Sequence, residues 1–494
     1  MIVEKSHSNF NQALWLSISY ACSMLVGILS AAILSRCFDK AEYGTYRQIL
    51  YVYQILFTVF QAGLPSVFTY FLPRYTKEEN KYIVKKVNQL LFLLGVVCSL
   101  LLFFTSNIIA SILNNPELSI GLKIFSFFPL FTLPTLGVEG IYTVNKNTKF
   151  VAIYTICTRL FMLACIVLPV IFMKNDYRYA LIGWGIASFI AFIIAIIAKN
   201  RVYNNVEIHK VPQIMHNVFQ YSLPIMGSAI VFMFFNSANQ FFISRYFGIE
   251  IFAEYSNGYM TLPFAIIFIA PIRLLITPIF AKAAKERDYS NALKVLYDST
   301  KQIFVLMIPV IVFAFCFAKE IMTFLYGSAY EFSYIFFRMI LIFNFVEMFV
   351  FSSVLSAIGK TAPEFYFVIV CTVILWFLDF LLIKIDFADA YMITGIFIFL
   401  NILVRYVLPG IYLVVKERIV VINRDVCVCM IKILTHALIV ALLIVFISNI
   451  FLVNSSAFIR LISFMSVFYI VLIFTSSFIG VNYLQAILRL MKIK

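Results

Sequence analysis

Fourteen apolar runs constrain the fold of this 494-residue chain more than any other feature. Each run is long enough for a transmembrane helix, which needs about 20 mostly apolar residues. Their approximate limits are residues 12–36, 45–73, 83–105, 119–144, 150–173, 178–198, 217–245, 252–281, 302–318, 332–358, 363–384, 390–415, 430–453 and 457–481. Because the connections between the runs are short, the sequence predicts an all-α integral membrane protein with about 14 transmembrane helices.

Composition excludes the ordinary soluble classes of protein. Hydrophobic residues make up 63% of the chain and charged residues only 12%, whereas charged residues approach about a quarter of a soluble domain. The net charge of +15 could suggest a nucleic-acid partner. However, the basic residues lie in short loops between apolar runs, where the positive-inside bias places them. We therefore expect contact with membrane lipids and not with nucleic acid.

A charged turn follows both the first and the seventh apolar run, and the two turns share a sequence pattern. The matching residues are Ser35, Arg36, Phe38, Ala41, Glu42 and Tyr43 in the first copy and Ser244, Arg245, Phe247, Ala253, Glu254 and Tyr255 in the second. The two copies lie about 210 residues apart. An offset of this length predicts two structurally related halves of six helices each.

Loop charge predicts the orientation of these halves. The densest clusters of Lys and Arg occur at residues 74–86, 199–210, 282–301 and 416–432. The positive-inside bias places such loops, and with them both termini, in the cytoplasm. Since six is an even number, the two halves share one orientation and form parallel repeats. The expected divisions are an N-lobe at residues 1–210, a C-lobe at residues 211–416 and a C-terminal helix pair at residues 417–494.

Arginines occur deep inside four of the apolar runs, where a charge is expensive. They are Arg159, Arg273, Arg338 and Arg405. At the centre of a membrane helix each would cost about 2.5–3.5 kcal/mol. That cost falls if the side chain faces water, a partner or a bound anion. The alternative is that some of them snorkel to an interface or pair with a carboxylate.

The acidic residues that lie deep inside the runs do not outnumber these arginines. Glu139, Glu347 and Asp379 are candidates for balancing charge or for coupling to protons. The excess of arginine predicts a positive, water-filled cavity. Such a cavity suits a multiply charged anion such as pyrophosphate, because guanidinium binds phosphate oxygens in a bidentate fork.

Amide side chains also interrupt the apolar runs. The seventh run contains Asn236, Asn239 and Gln240, and Asn401 lies one helical turn before Arg405 in the twelfth. Such groups are costly against lipid and natural against a wet cavity. Interhelical hydrogen bonding is the alternative explanation, because it uses the same residue types.

The sequence contains no recognisable catalytic or metal-binding pattern. We find no Ser/His/Asp set, no P-loop and no paired acids near an outer loop. Cys427 and Cys429 have no matching second pair, so a metal site is not expected. We therefore predict a transporter that is not an enzyme and has no cofactor. Transport would then need a gradient of H⁺, Na⁺ or lipid, or consumption of the product downstream.

Short motifs that combine glycine, proline, tyrosine and charged residues occur at residues 34–46, 63–65, 73–75, 221–224, 326–327 and 357–360. In this order they resemble the Wzx-type polysaccharide flippase family, part of the multidrug/oligosaccharidyl-lipid/polysaccharide exporter (MOP) superfamily. The resemblance implies two six-helix lobes around a central cavity, plus two C-terminal helices. It also implies translocation of undecaprenyl-pyrophosphate-linked oligosaccharide across the bacterial cytoplasmic membrane.

The resemblance extends to candidate head-group residues. Related lipid II flippases use arginines on the first, second and eighth spans for pyrophosphate, and Arg36, Arg47 and Arg273 occupy those spans here. Interfacial anchoring is the alternative role for Arg36 and Arg47. We expect a monomer, whose partners could include a polysaccharide polymerase or export machinery. The resemblance leaves open a small-molecule or multidrug exporter of the same superfamily. A polysaccharide polymerase or acyltransferase would need a large outer loop or a catalytic His/Asp set.

Overall fold

A computed structural model describes residues 2–173, 175–260, 263–451, 457–481 and 483 of the chain. Within these residues the secondary structure is helical, with no strand. Eleven helical segments of the described residues are long and apolar enough to cross a membrane, or up to 13 if each of two bent pairs counts as one span. The predicted all-α, multi-pass membrane architecture is confirmed. The predicted eighth span includes residues 261 and 262, which lie outside the described residues.

The described helices fall into two compact units, Met1–Ala253 and Glu254–Lys494, which we call the N-unit and the C-unit. The N-unit contains ten helices: α1 (Ile2–Cys37), α2 (Lys40–Phe60), α3 (Leu64–Phe71), α4 (Lys77–Ile112), α5 (Glu117–Phe125), α6 (Phe127–Thr132), α7 (Val138–Val144), α8 (Thr148–Phe172), α9 (Tyr177–Val202) and α10 (Ile214–Tyr246). Helix α11 (Ile249–Gly258) contains the boundary between the units. The division at residues 210 and 416 stays a prediction.

The C-unit contains ten further helices in its described part. They are α12 (Pro263–Glu286), α13 (Ser290–Cys316), α14 (Ala318–Tyr326), α15 (Ser333–Glu347), α16 (Phe351–Ala357), α17 (Thr361–Lys384), α18 (Ala390–Ile402), α19 (Leu408–Val415), α20 (Arg424–Phe451) and α21 (Ala457–Thr475). A π-helical turn at Leu403–Val407 joins α18 to α19. Short 3₁₀ turns occur in both units, at Leu72–Arg74, Leu133–Thr135, Ser328–Tyr330 and Ser476–Ile479.

Polar side chains mark the starts of several helices. The Asp39 carboxylate caps α2 by accepting a hydrogen bond from the backbone N–H of Glu42 at 2.7 Å. At the start of α4, Thr76 and Glu79 form a reciprocal capping box. Such caps satisfy backbone donors that the first helical turn leaves without partners. These two caps therefore fix where α2 and α4 begin.

The two copies of the repeated turn both connect one helix to the next, and parts of them meet within the N-unit. A Cβ atom at Gly44 would lie only 2.3 Å from the Ile249 side chain and 2.5 Å from its backbone oxygen. Nearby, the Gln48 amide donates a hydrogen bond to the Ser244 hydroxyl at 2.8 Å. The Asn115 amide donates to the Gln48 carbonyl at 2.6 Å. Glycine at residue 44 therefore allows the helices to approach closely.

Large apolar side chains cover much of the outside of both units. Phe104 and Phe172 in the N-unit are exposed, as are Phe377 and Phe446 in the C-unit. Extensive apolar exposure is unfavourable in water. On helices of this length and composition, it is the surface expected against lipid. The exposed surface thus agrees with a multi-pass membrane protein.

Candidate functional site

The C-unit brings two predicted site residues together as an ion pair. Arg273 on α12 and Glu347 at the end of α15 approach to 3.3 Å between Nη2 and Oε1. Their side chains are 44% and 22% exposed, respectively. The pair combines a charge from each of two helices that are separate in the sequence. Pairing lowers the cost of placing both groups within apolar segments, and the remaining exposure leaves the guanidinium accessible.

The position of Glu347 follows from a break in its helix. Helices α15 and α16 are bent by 42° relative to each other, and Glu347 is the last residue of α15. The preceding Asn344 is buried. A break in a helix leaves some backbone N–H and C=O groups without helical partners. It also opens space for a side chain that the next helical turn would otherwise fill. The break thus places a carboxylate at an irregular point of the predicted tenth span.

Arg405 joins this region from the π-helical turn at Leu403–Val407. Pro409 lies four residues further on and has no N–H to donate to the carbonyl of Arg405, so a regular helix cannot form there. Single π-helical turns are frequent at functional sites. Here the turn carries both Arg405 and the buried Tyr406. The irregular turn therefore presents a cation and a phenol together.

Electrostatic interactions connect these residues into one group. The hydroxyl of Tyr406 interacts with the charges of Arg273, Glu347, Glu364 and Arg405. We call these five residues the charged cluster. The Ser352 hydroxyl donates a hydrogen bond to Glu364. Two guanidinium groups and two carboxylates balance formally, so an anion that binds Arg273 competes with the carboxylate of Glu347.

Two further candidates lie beside or within the same helices. Asn401 is buried, and its Oδ1 has no hydrogen-bond partner among the described residues. It precedes Arg405 by one turn, as the sequence predicts. Asp379 on α17 is also buried, and neither of its carboxylate oxygens has a hydrogen-bond partner in the described part of the chain. A buried carboxylate of this kind is costly when charged, which makes Asp379 a candidate for carrying a proton.

Arg338 occupies a different environment from the charged cluster. Its Nε donates to the carbonyl oxygen of Phe315 at 2.9 Å and its Nη2 to that of Cys316 at 3.4 Å. These carbonyls belong to the last turn of α13. The guanidinium also lies over the Tyr334 ring, 4.9 Å from its centre. A cation at a helix C-terminus satisfies free carbonyls and interacts favourably with the helix dipole. The structure thus gives Arg338 a helix-capping contact.

The remaining charged candidates lie in the N-unit. Arg36 is exposed in the last turn of α1, and Arg47 is half-buried on α2. Arg159 is exposed on α8 and interacts electrostatically with the hydroxyls of Tyr53 and Tyr154. Arg159 is therefore within electrostatic range of both hydroxyls.

Glu139 is held by a helix from elsewhere in the N-unit. The Tyr20 hydroxyl on α1 donates a hydrogen bond to the Glu139 carboxylate on α7. Gly137 precedes α7 with a φ of +91°, and a Cβ atom there would lie 2.2 Å from the Phe68 ring. Glycine is therefore needed at residue 137 to begin α7. Glu139 takes its position from that turn.

Two amide residues of α10 line a cavity of about 290 Å³ between α2 and α10. Asn236 and Gln240 face Gln54 and Tyr51 across it. The Asn236 amide also donates to the Phe232 carbonyl at 2.7 Å, and Asn239 is buried. Asn236 and Gln240 thus line a cavity, and the bond from Asn236 to Phe232 is made within α10, so it is not an instance of interhelical hydrogen bonding.

Sequence reasoning missed three side chains with notable environments. Glu364 and Tyr406 belong to the charged cluster, and Lys199 is almost fully buried in the N-unit. Lys199 stands at the edge of the basic segment 199–210, so its charge looked like that of a loop residue. Glu364 lies in the first turn of α17, where a carboxylate is common at a helix N-terminus, so nothing in the sequence singles it out.

Comparison with known proteins identifies the family. The sequence profile of the family described as "Polysaccharide biosynthesis protein" matches residues 33–334. The chain belongs to the polysaccharide biosynthesis protein family. This confirms the resemblance deduced from the sequence motifs. A search of curated protein sequences gave no match.

Solved structures show that this polysaccharide biosynthesis protein has the fold of MOP-superfamily transporters. A structure titled "Lipid II flippase MurJ, inward closed conformation" superposes with a TM-score of 0.69 at 15% identity, covering 94% of this chain and 100% of that chain. An inward-facing multidrug resistance MATE family transporter of the MOP superfamily gives a TM-score of 0.56 at 13% identity, with coverages of 80% and 92%. A MOP superfamily transporter from Pyrococcus furiosus gives 0.51 at 15% identity, with coverages of 92% and 96%.

Proposed function

We propose that this protein is a flippase that moves undecaprenyl-pyrophosphate-linked oligosaccharide from the cytoplasmic to the outer leaflet of the bacterial cytoplasmic membrane. Both termini would be cytoplasmic, and movement would follow alternating access. The charged cluster is the observation that carries the proposal, because an ion pair holds Arg273 of α12 against Glu347 of α15, and Tyr406, next to Arg405, is within electrostatic range of both. Membership of the polysaccharide biosynthesis family and a fold shared with a protein titled as a lipid II flippase support the choice of substrate class.

Exchange of ion-pair partners would give Arg273 its role. Without substrate, Glu347 holds the guanidinium at 3.3 Å. Pyrophosphate carries more charge than one carboxylate and offers oxygens for a bidentate contact, so it competes for Arg273. Arg405 would then provide a second cation for the same head group. The displaced Glu347 becomes free to take a proton, which supplies a route to proton coupling.

Alternating access would require the site to open to one leaflet at a time. A flippase must bind its head group firmly enough to remove it from water and weakly enough to release it. Competition between a carboxylate and pyrophosphate provides this balance, because Glu347 returns to Arg273 as the substrate leaves. The N-unit arginines Arg36, Arg47 and Arg159 would assist the head group at other stages of transport.

Export of surface polysaccharide tests the proposal in cells. A strain that lacks this protein and carries it on a plasmid should export polysaccharide with the wild-type gene. Arg273→Ala should reduce export by about tenfold at normal protein levels. Lys282→Ala is the matched control, because Lys282 lies on the same helix and is also paired with a glutamate, Glu286, at 3.7 Å. Export should be normal in this control.

Two outcomes would contradict the proposal. Full export by Arg273→Ala at wild-type protein levels would remove the charged cluster from the mechanism. Drug resistance that depends on this protein in cells with no lipid-linked oligosaccharide would instead support a small-molecule exporter. That rival shares the fold, since multidrug transporters also superpose on this chain.

A further inference from the structure

A second cavity, of about 900 Å³, lies between α4 and α9 in the N-unit. None of the residues predicted as site candidates from the sequence lines it. One end is formed by the first turns of α4 and the last turns of α9, which belong to the basic segments 74–86 and 199–210. The cavity therefore opens at the membrane face that loop charge predicts to be cytoplasmic.

The floor of this end is Lys199, whose side chain is almost completely buried. Its ammonium donates hydrogen bonds to Asn88 Oδ1 and to the Pro134 carbonyl, both at 2.8 Å, and to the Leu136 carbonyl. All three acceptors are neutral. They satisfy the three donors of the ammonium but leave its charge without a counter-charge. A buried cation of this kind favours a nearby anion.

The rim of the same end carries two more lysines, one turn apart on α4. Lys81 donates to the Val206 carbonyl at 2.7 Å, while Lys85 is exposed. No Asp or Glu is among the described residues that line the cavity. The nearest acids in sequence on α4 are Glu78 and Glu79, which lie in its first turn before Lys81. Three lysines therefore face this space without a carboxylate in its wall.

The other end of the cavity is apolar. It is lined by Phe92, Leu93 and Val96 on α4 and by Phe192 and Ile196 on α9. Eleven residues separate Lys85 from Val96, which corresponds to about 16 Å along a helix. The cavity thus changes from cationic to hydrocarbon-like along the direction in which the two helices cross the membrane. A soluble anion would use only the first part of it.

We propose that this cavity binds an anionic glycerophospholipid of the cytoplasmic leaflet. The phosphate would lie at Lys85 and Lys81, above the buried charge of Lys199, and an acyl chain would follow Phe92 and Phe192. The charge complementarity selects an anionic head group, and the apolar wall selects a lipid over a free phosphate. The site is separate from the charged cluster and does not depend on the proposed transport function.

Lipid binding by the purified, full-length protein in detergent tests this site. The probes are phosphatidylglycerol, phosphatidylethanolamine and glycerol phosphate, each followed by native mass spectrometry and by the rise in melting temperature. Phosphatidylglycerol should bind and raise the melting temperature, and the other two should do so weakly or not at all. Lys85→Ala should weaken binding of phosphatidylglycerol by about fivefold, the effect expected for one basic residue at a lipid surface.

Two further variants make the test specific. Val96→Trp fills the apolar end and should also weaken phosphatidylglycerol binding. Lys86→Ala is the matched control, because Lys86 neighbours Lys85 on α4 but does not line the cavity, and it should bind like wild type. The exposed Lys85 is preferred to Lys199, whose loss would also remove three internal hydrogen bonds.

Three outcomes would overturn the proposal. Equal binding of glycerol phosphate would identify the occupant as a soluble anion. Equal binding of phosphatidylethanolamine would show that the site does not select charge. Unchanged phosphatidylglycerol binding in both Lys85→Ala and Val96→Trp would place the lipid elsewhere. None of these results depends on transport, so the proposed flippase function would be unaffected.

Discussion

The ion pair between Arg273 and Glu347 can be tested by how the loss of Glu347 changes affinity for a pyrophosphate lipid. Tighter binding would mean that Glu347 competes with the lipid for Arg273, and weaker binding would mean that the pair supports the site. At 3.3 Å, two unit charges attract by about 5 kcal/mol in an effective dielectric of about 20 and by about 1.3 kcal/mol in water. Both side chains are partly exposed, so solvent and side-chain entropy reduce the net value. We expect a coupling free energy of about 1 kcal/mol, which corresponds to about fivefold in an equilibrium constant.

A double-mutant cycle measures this coupling. The variants are Arg273→Gln, Glu347→Gln and the double substitution, each compared with wild type by reversible denaturation of the detergent-solubilised protein. Glutamine keeps the polar shape and removes the charge. The cycle gives the pairwise term after the separate effects of each substitution are subtracted. A coupling of zero within error would contradict the expected value of about 1 kcal/mol and would mean that the pair does not stabilise the protein.

Substrate binding by the same variants then tests the exchange of partners. If pyrophosphate competes with Glu347, Glu347→Gln should bind a pyrophosphate lipid about fivefold more tightly than wild type, because the competitor is gone. Arg273→Gln should bind it more weakly. Titration with a fluorescent undecaprenyl-pyrophosphate probe measures both affinities. Weaker binding by Glu347→Gln as well as by Arg273→Gln would refute the competition and show that the pair only supports the site.

Three other substitutions have expected outcomes. Gly44→Ala should destabilise the protein by about 1–3 kcal/mol, because the new methyl group would clash with Ile249. Gly27→Ala is the control and should leave stability unchanged, because nothing lies within 4 Å of its Cβ position. Equal melting temperatures for the two variants would contradict this prediction. Asp379→Asn should be made at wild-type levels and should abolish any stimulation of flipping by an imposed proton gradient, and an unchanged gradient response in proteoliposomes would exclude it as the coupling acid. Arg338→Ala should lower the free energy of unfolding by about 1–3 kcal/mol, because the charged hydrogen bonds to α13 are lost. The rate of flipping per folded molecule should stay normal. A transport defect without destabilisation would instead show that Arg338 binds the head group.

The membrane fold could be predicted because its main requirement is local. A run of about 20 apolar residues must form a helix in lipid to satisfy its own backbone, so the spans follow from the sequence alone. The break after Glu347 could not be predicted in this way. No proline or glycine lies between Glu347 and Phe351, and local rules mark kinks mainly by those residues. The run 332–358 therefore looked like one continuous span.

The candidate site could be predicted by residue type but not by pairing. Arg273 and Glu347 both stood out as charges in apolar runs, yet they are 74 residues apart in the chain. Their contact depends on how α12 and α15 pack. The same limit applies to Arg338, whose contact with the end of α13 involves a neighbouring helix. Sequence shows that a buried charge needs a partner, and only tertiary structure shows which one it has.

Lys199 illustrates a different limit. Positive-inside bias treats lysines near a span end as loop residues, and Lys199 stands three residues before the end of α9. The helix nevertheless turns this side chain inward, where the Pro134 carbonyl in the 3₁₀ turn at Leu133–Thr135 and the carbonyl of Leu136 accept hydrogen bonds from its ammonium. Charge counts along the sequence therefore hid a cation that is central to the lipid cavity.

Flipping of a defined lipid by the purified protein tests the central claim most directly. Wild-type protein in liposomes should move a fluorescent undecaprenyl-pyrophosphate-linked oligosaccharide between leaflets and should not move the same glycolipid without its pyrophosphate. Arg273→Ala should reduce the rate by about tenfold, corresponding to loss of about 1.4 kcal/mol of head-group interaction. Equal rates for the two lipids, or for wild type and Arg273→Ala, would contradict the proposal that guanidinium groups in the membrane select a pyrophosphate head group.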